Sequence, residues 1–594
     1  MKNTVRMKIM LRQAMRKFSI EFVYDKGDVN LLDEWLKSVL KIEVKIAKQD
    51  LESIIERNLI LINELFQIVK VPCFSKGTIL SIDKIDNNTN RYKADIKISD
   101  IEYLHENYYT TVISFSINSI LWMLKTPVND SSILELYQLI EKNVISKLNG
   151  VVGSGKSTIG ILKNAYEKDI PFMHLSGGVY QLGWGSSLRL INRSVTDLDS
   201  VIGATIANNK MISSNMIGMS GLPSPVNALV SDVDMALQIA KKIKWPVVLK
   251  PVDGDRGEGV TINVNSPEKL IIAFEHAKRY SQSKRVIVER EVLGVVHRVF
   301  VVKGEVLYVV KRVPKAVIGD AINSVSELIK IANRDLDATP PWLRSEIFKS
   351  DTEAIEAMNA FGFTMESIPK VDERVPLRMI ESTVFGGGSI DASTQIHKEN
   401  IRIALQATKL TGLEIAGIDI ITQDISKPWY ENGAIINEIN VAPVLGGSEV
   451  SKQNISKFLD RVIVQNGRIP VSIFVGGERA MKEALKKQKK SIKKRVSCYL
   501  TSHDKTLDKL SSEMIYTNKS LYKRVKSLLI NKEVEELIIV LQTDEILLKG
   551  LPLDKVDDIL FVDEELKSII SNKEFSKSDL PLIELELEKL KQGY

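Results

Sequence analysis

The stretches IINEINV at residues 435–441 and IAGIDII at residues 415–421 decide the fold. Both are rich in β-branched residues, which predicts two strands that pair as a hairpin. Side chains two residues apart on a strand share a face, so Glu438 and Asn440 point the same way. With Asp419 on the neighbouring strand, three oxygen ligands suit Mg²⁺, which takes its other ligands from water and nucleotide phosphates. The alternative is a solvated hairpin with incidental polar residues.

A lysine and a glycine-rich loop lie upstream of this pair. WPVVLKP at 245–251 predicts a short buried strand that carries Lys250, and GDRGEGV at 254–260 predicts a turn into another strand. Glycines let backbone N–H groups approach phosphate oxygens closely, and Lys250 adds positive charge at the same place. The loop residues predicted to contact a nucleotide are Gly254, Asp255, Arg256, Gly257 and Gly259.

A further strand completes the pattern. VIVER at 286–290 predicts a strand that leads into a hinge, where the backbone around Glu289 and Arg290 could contact an adenine. A lysine, a glycine loop, a hinge strand and an Asp/Glu/Asn set follow one another in the order of the ATP-grasp fold. Each signal is weak alone, but their joint occurrence in this order is specific. We therefore predict an ATP and Mg²⁺ site.

Composition limits the function classes. A chain of 594 residues predicts several domains, and the net charge of +6 is a small difference between 81 basic and 75 acidic residues, so nucleic acid is not an expected partner. Two cysteines exclude a disulfide framework and a cysteine-rich zinc site. No apolar stretch is long enough to span a membrane, and the basic amino terminus lacks the apolar core of a secretory signal. We expect a cytoplasmic protein.

Shifts in pattern divide the chain into three segments. Residues 1–160 mix helical patterns with strand-like runs such as 92–98 and 108–115, and predict an α+β accessory or docking domain. Residues 161–465 carry the motifs above, interrupted by a mostly helical insert at about 320–376. Residues 466–594 form the third segment. Its lysine-rich run at 482–495 is typical of a solvated helix face.

The stretch GVVGSGKST at 150–158 matches the phosphate-loop pattern G-x-x-x-x-G-K-[ST]. That pattern binds phosphate where a buried strand delivers the loop and a helix follows it. The preceding residues 142–149 make a poor buried strand, although a helix over 159–168 could follow. We predict that this loop does not bind a nucleotide.

Several motifs resemble those of cyanophycin synthetases. They are VYQLGWG at 179–185, KPVDGDRGEGV at 250–260, RVP at 312–314, ERVPLR at 373–378, AGIDIITQDIS at 416–426 and EINVAP at 438–443. The resemblance implies an α/β and α+β multidomain protein with an amino-terminal domain, an ATP-grasp domain with a helical insert, and a Mur-ligase-like domain. In this family the ATP-grasp domain activates the terminal carboxylate of a chain as an acyl phosphate, which an amine then attacks.

The resemblance also implies roles for individual residues. Lys210 and Lys250 would hold the nucleotide phosphates. Arg378 and Arg312 would act in catalysis, with Arg378 stabilising the charge that develops during transfer. Asp419, Glu438 and Asn440 would hold Mg²⁺. These roles imply an ADP-forming amide ligase that takes a peptide-like polymer acceptor and a small amine or dipeptide.

The third segment departs from the family. RIPVSIFVG at 468–476 resembles the strand before the Mur phosphate loop, but Arg479 and Ala480 stand where the family has glycine and lysine. We therefore expect a truncated, Rossmann-like and non-catalytic remnant that acts in assembly of a dimer or tetramer. A shortened enzyme with one ATP site resembles the second type of cyanophycin synthetase, which polymerises β-aspartyl-arginine dipeptides.

Other departures keep two alternatives open. Val296 stands where the family has an acidic residue, and Val384 and Phe385 replace hydroxyl-bearing residues. The changes at 384 and 385 favour a ligase of the same fold that makes a different peptide or isopeptide bond. The change at 296 favours an inactive scaffold or regulatory partner of another synthetase.

Overall fold

The computed structural model describes residues 15–86, 88–254, 257–381, 386–517, 520–570 and 580–592. The chain divides into two compact units. Unit one takes in the chain up to Ser38, Ile42–Asn192 and the chain from Val462 onward, and unit two takes in Val39–Lys41 and Arg193–Arg461. Both contain helices and strands, as the sequence predicts for a mixed α/β protein. No described helix is long and apolar enough to cross a membrane.

The amino-terminal part of unit one contains two small sheets and their helices. The strands are β1 (Met15–Val23), β2 (Thr78–Lys84), β3 (Arg91–Ser99), β4 (Phe172–Ser176), β5 (Val179–Leu182) and β6 (Arg189–Asn192). The helices are α1 (Val29–Glu34), α2 (Leu51–Ile68), α3 (Glu106–Met123), α4 (Asp130–Ile140), α5 (Ser146–Leu148) and α6 (Thr158–Glu167). β3 pairs antiparallel with β1 and with β2. β5 likewise pairs with β4 and with β6.

One prediction in this region is wrong. Residues 108–115 lie in helix α3, not in a strand. The buried positions Tyr109, Val112, Ser116 and Ile120 recur every three to four residues, which is the helical period. The β-branched residues there suggested a strand, but burial of this helical stripe outweighs their weak intrinsic preference.

Unit two contains the predicted strands and the predicted helical insert. The strands are β7 (Val195–Thr196), β8 (Asn227–Val230), β9 (Val247–Pro251), β10 (Thr261–Val264), β11 (Val286–Arg290), β12 (Val295–Val302), β13 (Glu305–Val313), β14 (Ala316–Ile318), β15 (Arg374–Pro376), β16 (Gly388–Asp391), β17 (Ile415–Thr422) and β18 (Ile435–Asn440). The helices are α7 (Val201–Ala207), α8 (Lys210–Met219), α9 (Val233–Ile243), α10 (Pro267–Tyr280), α11 (Val325–Asp337), α12 (Thr352–Ala360), α13 (Lys398–Thr411), α14 (Trp429–Asn432), α15 (Glu449–Gln453) and α16 (Ile455–Val462).

Two antiparallel sheets form the frame of unit two. One has the strand order β10-β9-β11-β8, and the other has the order β16-β13-β12-β17-β18. Helices α9 and α10 contribute Ala240 and Phe274 to the core of the first sheet, and α13 contributes Ile403 and Ala407 to the core of the second. Helix α11 begins at a capping box between Ser324 and Glu327, as its sequence favours.

The carboxy-terminal part of unit one is a largely parallel sheet flanked by helices. Its strands are β19 (Val471–Val475), β20 (Cys498–Thr501), β21 (Thr506–Leu507), β22 (Glu536–Leu541) and β23 (Asp558–Phe561), in the order β21-β20-β22-β19-β23. Its helices are α17 (Glu478–Lys493), α18 (Leu521–Ile530), α19 (Ile546–Lys549) and α20 (Leu580–Gln592). This layering resembles a Rossmann-like arrangement, in line with the sequence.

Residues 171–192 pack with this parallel sheet. Met173 and Trp184 share a core with Val471 and Leu537, and the Trp184 Nε1–H group donates to Asp554 Oδ1 at 3.2 Å. The compact unit therefore joins stretches that the sequence assigns to three different segments. The domain boundaries at residues 160 and 465 stay a prediction from the sequence.

Candidate active site

The predicted hairpin between β17 and β18 is confirmed, and its register brings the three oxygen-bearing residues together. Asp419 lies opposite Glu438, and Gly417 lies opposite Asn440. The Asn440 side-chain amide donates to Asp419 Oδ2 at 3.3 Å. The register shifts between Asp419 and Ile420, a bulge that ends the regular pairing next to the polar residues.

An arginine that the sequence analysis did not assign holds Asp419. Arg298 lies opposite Asp419 in the β12–β17 pair, and its Nε and Nη2 atoms donate to the two carboxylate oxygens, the second at 2.7 Å. Although burial works against the charged guanidinium, the Asp419 carboxylate holds the pKa of Arg298 above its ordinary value. Such a pair is found only when the strand register is known, because the two residues are far apart in sequence.

Two lysines stand on the other side of Glu438. Lys210, the first residue of α8, donates to the Gly254 carbonyl at 2.5 Å and lies 3.8 Å from Glu438 Oε1. Lys250 pairs with Glu289 across β9 and β11 at 2.8 Å, and both side chains are largely buried. Burial raises the pKa of Glu438, and Lys210 counteracts the rise only in part. The neighbouring Asp419 carboxylate adds to the rise, and Arg298 and Lys250 oppose it.

A cavity of about 600 Å³ lies within unit two and collects most of the predicted site residues. The predicted residues that line it are Lys210, Lys250, Gly254, Gly257, Glu289, Arg312, Arg378 and Glu438. An apolar group shares the lining with them: Val248, Ile262, Val292, Val296, Ile421 and Ile435. Apolar walls with a few convergent charged groups are typical of a small-molecule site.

The remaining predicted residues lie outside this lining. Gly259 has a positive φ, and a side chain there would meet Tyr280 at 2.8 Å, so this glycine serves the packing of the loop. Arg290 is an exposed residue at the end of β11. Asp419 lies opposite Glu438 on the neighbouring strand, and Asn440 contacts Asp419. Asp255 and Arg256 lie outside the described residues.

The two arginines predicted to be catalytic differ in their surroundings. Arg378 is only 6% exposed, and Asp351 accepts hydrogen bonds from both its Nη atoms at 3.0 Å. Glu353, from the same end of helix α12, lies 3.4 Å from its Nε. Arg312 has no such carboxylate partner among the described residues, and burial together with the nearby Arg298 lowers its pKa. The helical insert thus neutralises Arg378 but not Arg312.

The donor set fits Mg²⁺. The described residues contain no group of three or more His, Cys, Asp and Glu side chains placed to hold a metal ion. The predicted set instead offers two carboxylates and one amide, and Mg²⁺ commonly uses so few protein ligands because it keeps water and phosphate oxygens. Strand register brings the oxygen atoms of these three side chains together, which is the kind of donor set that Mg²⁺ accepts.

Two other loops with phosphate-binding patterns are built differently. The loop at 150–158 follows helix α5 instead of a strand. Its Gly153 packs so closely against Gly178 that a Cβ atom at position 178 would lie 2.2 Å from the Gly153 carbonyl oxygen. At the start of α17, the Gly477 N–H donates to Asp563 Oδ1 at 2.7 Å. The protein's own carboxylate therefore occupies the helix terminus at which a phosphate would bind.

Comparison with known families supports the ATP-grasp fold that the sequence predicts for the residues of unit two. Residues 209–303 match the carbamoyl-phosphate synthase L chain, ATP binding domain, and residues 382–463 match the RimK-like ATP-grasp domain. Unit two is similar to ATP-grasp domains. The two matched stretches contain Lys210, Lys250, Glu289, Asp419, Glu438 and Asn440.

The predicted resemblance to cyanophycin synthetases is confirmed. The chain is 33% identical over 334 residues to the cyanophycin synthetase of Trichormus variabilis, a match that covers 54% of this chain and 37% of that relative. It is 30% identical over 295 residues to a glutathione biosynthesis bifunctional protein of Pasteurella multocida, covering 47% and 39%. The crystal structure of a bifunctional glutathione synthetase from the same species overlaps 60% of this chain and 52% of its own, with 23% identity and a TM-score of 0.40. The match spans just over a third of the length of these curated relatives.

Proposed function

We propose that unit two is an ATP-dependent carboxylate–amine ligase that forms amide bonds through an acyl phosphate. The observation that carries this proposal is that one and the same cavity is lined by Lys210, Lys250, Arg312 and Glu438. Transfer of a phosphoryl group to a carboxylate brings several negative charges together, and fixed cations lower the cost of that step. The similarity to a cyanophycin synthetase and to a glutathione biosynthesis bifunctional protein supports the same chemistry.

The residues around Glu438 would bind different parts of the Mg²⁺–ATP complex. Lys210 and Lys250 neutralise phosphate oxygens, while the apolar group around Val248 and Ile262 takes the base. Asp419, Glu438 and Asn440 would hold Mg²⁺, which supplies positive charge at the transferred phosphoryl group. Arg298 is held beside this set by Asp419, and its guanidinium fixes the position of that carboxylate.

A cationic group would receive the acceptor carboxylate. Lys311, Arg312 and Arg374 line the same cavity as Lys250 and have no ion-pair partner among the described residues. The acceptor carboxylate would bind there and attack the terminal phosphorus of ATP, so that the acyl phosphate forms and ADP leaves. The amine then attacks the carbonyl carbon, the C–N bond forms and phosphate leaves.

The finer proposal is that the ligase joins β-aspartyl-arginine dipeptides to a cyanophycin-like chain. The similarity to cyanophycin synthetases supports it, and the contact between Asp563 and Gly477 is consistent with one ATP site per chain. The second candidate, a ligase for another peptide bond, is supported by the similarity to a glutathione biosynthesis protein. Its sequence indicators, Val384 and Phe385, lie outside the described residues. Assembly as a dimer or tetramer stays a prediction.

The test is phosphate release from ATP by the purified full-length protein, with and without Mg²⁺. The panel contains aspartate, arginine, β-aspartyl-arginine and short cyanophycin primers. Release that requires both the dipeptide and a primer supports the finer proposal, and release with another amine supports the second candidate. Absence of release together with absence of ATP binding by calorimetry would contradict both, and would favour a scaffold role.

A further inference from the structure

Glu381 is an unassigned carboxylate in the wall of the cavity. It lines the cavity three residues after Arg378, on the segment that leads away from the helical insert. The residues between 361 and 380 that line the cavity are all cationic or apolar: Phe361, Arg374, Pro376, Arg378, Met379 and Ile380. Glu381 is therefore an acid in the same cavity as Arg374, one of the cations proposed to bind the acceptor carboxylate, and no role has been assigned to it.

The other acids of the lining have partners or are open to solvent. Glu289 pairs with Lys250, Glu438 lies near Lys210, and Glu291 accepts a hydrogen bond from the Asn263 N–H group. Glu258 is exposed. Within the described residues Glu381 has no cationic partner.

The surroundings of Glu381 also affect its protonation. Burial raises the pKa of this carboxyl, and only its own backbone N–H group works against the rise. A carboxyl that is desolvated and unpaired gains from a cationic ligand, and it is a stronger base than an exposed carboxylate.

We propose that Glu381 binds the ammonium group of the incoming amine and then accepts its proton. This inference rests on the proposed ligase function and names the group that selects and activates the amine. The ammonium first pairs with the carboxylate, and one N–H proton passes to Glu381. The free amine then attacks the carbonyl carbon of the acyl phosphate, the C–N bond forms, the C–O bond to phosphate breaks, and the departing phosphate takes the second N–H proton. A small cationic amine is therefore the substrate class.

The experiment compares wild type with Glu381→Gln, using two nucleophiles on a cyanophycin primer with ATP and Mg²⁺. β-Aspartyl-arginine carries an ammonium group and needs a base, whereas hydroxylamine is uncharged at neutral pH and traps the acyl phosphate as a hydroxamate. We expect Glu381→Gln to lose about 100-fold or more in dipeptide addition, a typical effect of a lost general base. Hydroxamate formation should stay close to wild type, which also demonstrates that the variant is folded. Glu366→Gln, an exposed glutamate of the insert, is the matched control and should match wild type with both nucleophiles.

The outcomes separate this inference from the proposed function. Hydroxamate formation and dipeptide addition that are both unchanged in Glu381→Gln would overturn the role of Glu381 and leave the ligase in place. An equal loss with both nucleophiles would also overturn it, because Glu381 would then act before the amine arrives. If wild type forms no hydroxamate, the proposed function fails, and this inference fails with it.

Discussion

The cavity of unit two and the turn before α17 in unit one both have the elements of a phosphate site, but they use them differently. In the cavity, Lys210 and Lys250 line an open volume, and burial raises the pKa of the nearby Glu438. At the turn, Asp563 already accepts from the Gly477 N–H group. Phosphate-binding geometry is therefore informative only where the cationic groups also line a volume that a ligand can enter, as Lys210 and Lys250 do although each has a partner within the protein.

The largest expected effect concerns the pair that frames the cavity. Asp419→Ala leaves Arg298 as a buried cation without its partner, and removal of one member of a buried pair costs about 3–5 kcal/mol. We expect urea denaturation to show that loss. The double variant Asp419→Leu with Arg298→Met removes both charges and should recover most of the stability. Equal stability of the single and double variants would contradict the pairing.

A smaller effect, on activity alone, is expected at Glu438. Glu438→Ala should lower Mg²⁺-dependent ATP turnover by about 100-fold or more, because it removes a metal ligand without leaving a buried unpaired cation. Thermal unfolding should show little change. Glu431→Ala, an exposed glutamate near the same strand, is the control and should retain full turnover. Full turnover in Glu438→Ala would place the chemistry outside this cavity.

The pH dependence of stability gives a finer comparison. Burial raises the pKa of Glu438 above its ordinary value of 4.5, so the folded state binds a proton that the unfolded state has already lost. Stability of wild type relative to Glu438→Gln should therefore fall as the pH rises from about 4.5 through the folded pKa. Thermal melts without Mg²⁺ across this range measure it, and parallel curves for the two proteins would contradict it. Mg²⁺ should reduce the fall in wild type only.

The turn in unit one should respond in stability but not in activity. Asp563→Ala removes the acceptor for the Gly477 N–H group, and we expect a loss of about 1 kcal/mol. Asp563→Asn keeps an acceptor oxygen and should lose less. ATP turnover should equal wild type in both. A marked loss of turnover would mean that this turn takes part in the chemistry after all.

The smallest effect is expected in the loop at 150–158, whose sequence matches the phosphate-loop pattern at every position. Lys156 is exposed, and its loop follows a helix. Lys156→Ala should change the free energy of unfolding by about 0.5 kcal/mol or less and leave ATP turnover intact. Loss of turnover in a folded Lys156→Ala variant would reverse our comparison between the two units.

The sequence by itself determined the local features. Short runs of aliphatic residues specified β9, β11, β17 and β18, and side-chain alternation along a strand placed Glu438 and Asn440 on one face. The failure at 108–115 arose because β-branched residues suggest strands, while a buried helical stripe outweighs that preference. Patterns of this kind depend only on neighbours in the chain, so they can be interpreted without the fold.

Tertiary structure alone decided which charges meet. Arg298 reaches Asp419 through strand register, and Arg378 meets Asp351 through the position of the helical insert. Glu381 shares a cavity with Lys250, although the two residues are more than a hundred positions apart. Each contact joins groups that are distant in sequence, and its energy depends on burial and on distances of a few ångströms. No local pattern of residues encodes those quantities, so only the folded chain specifies which groups remain available for a substrate.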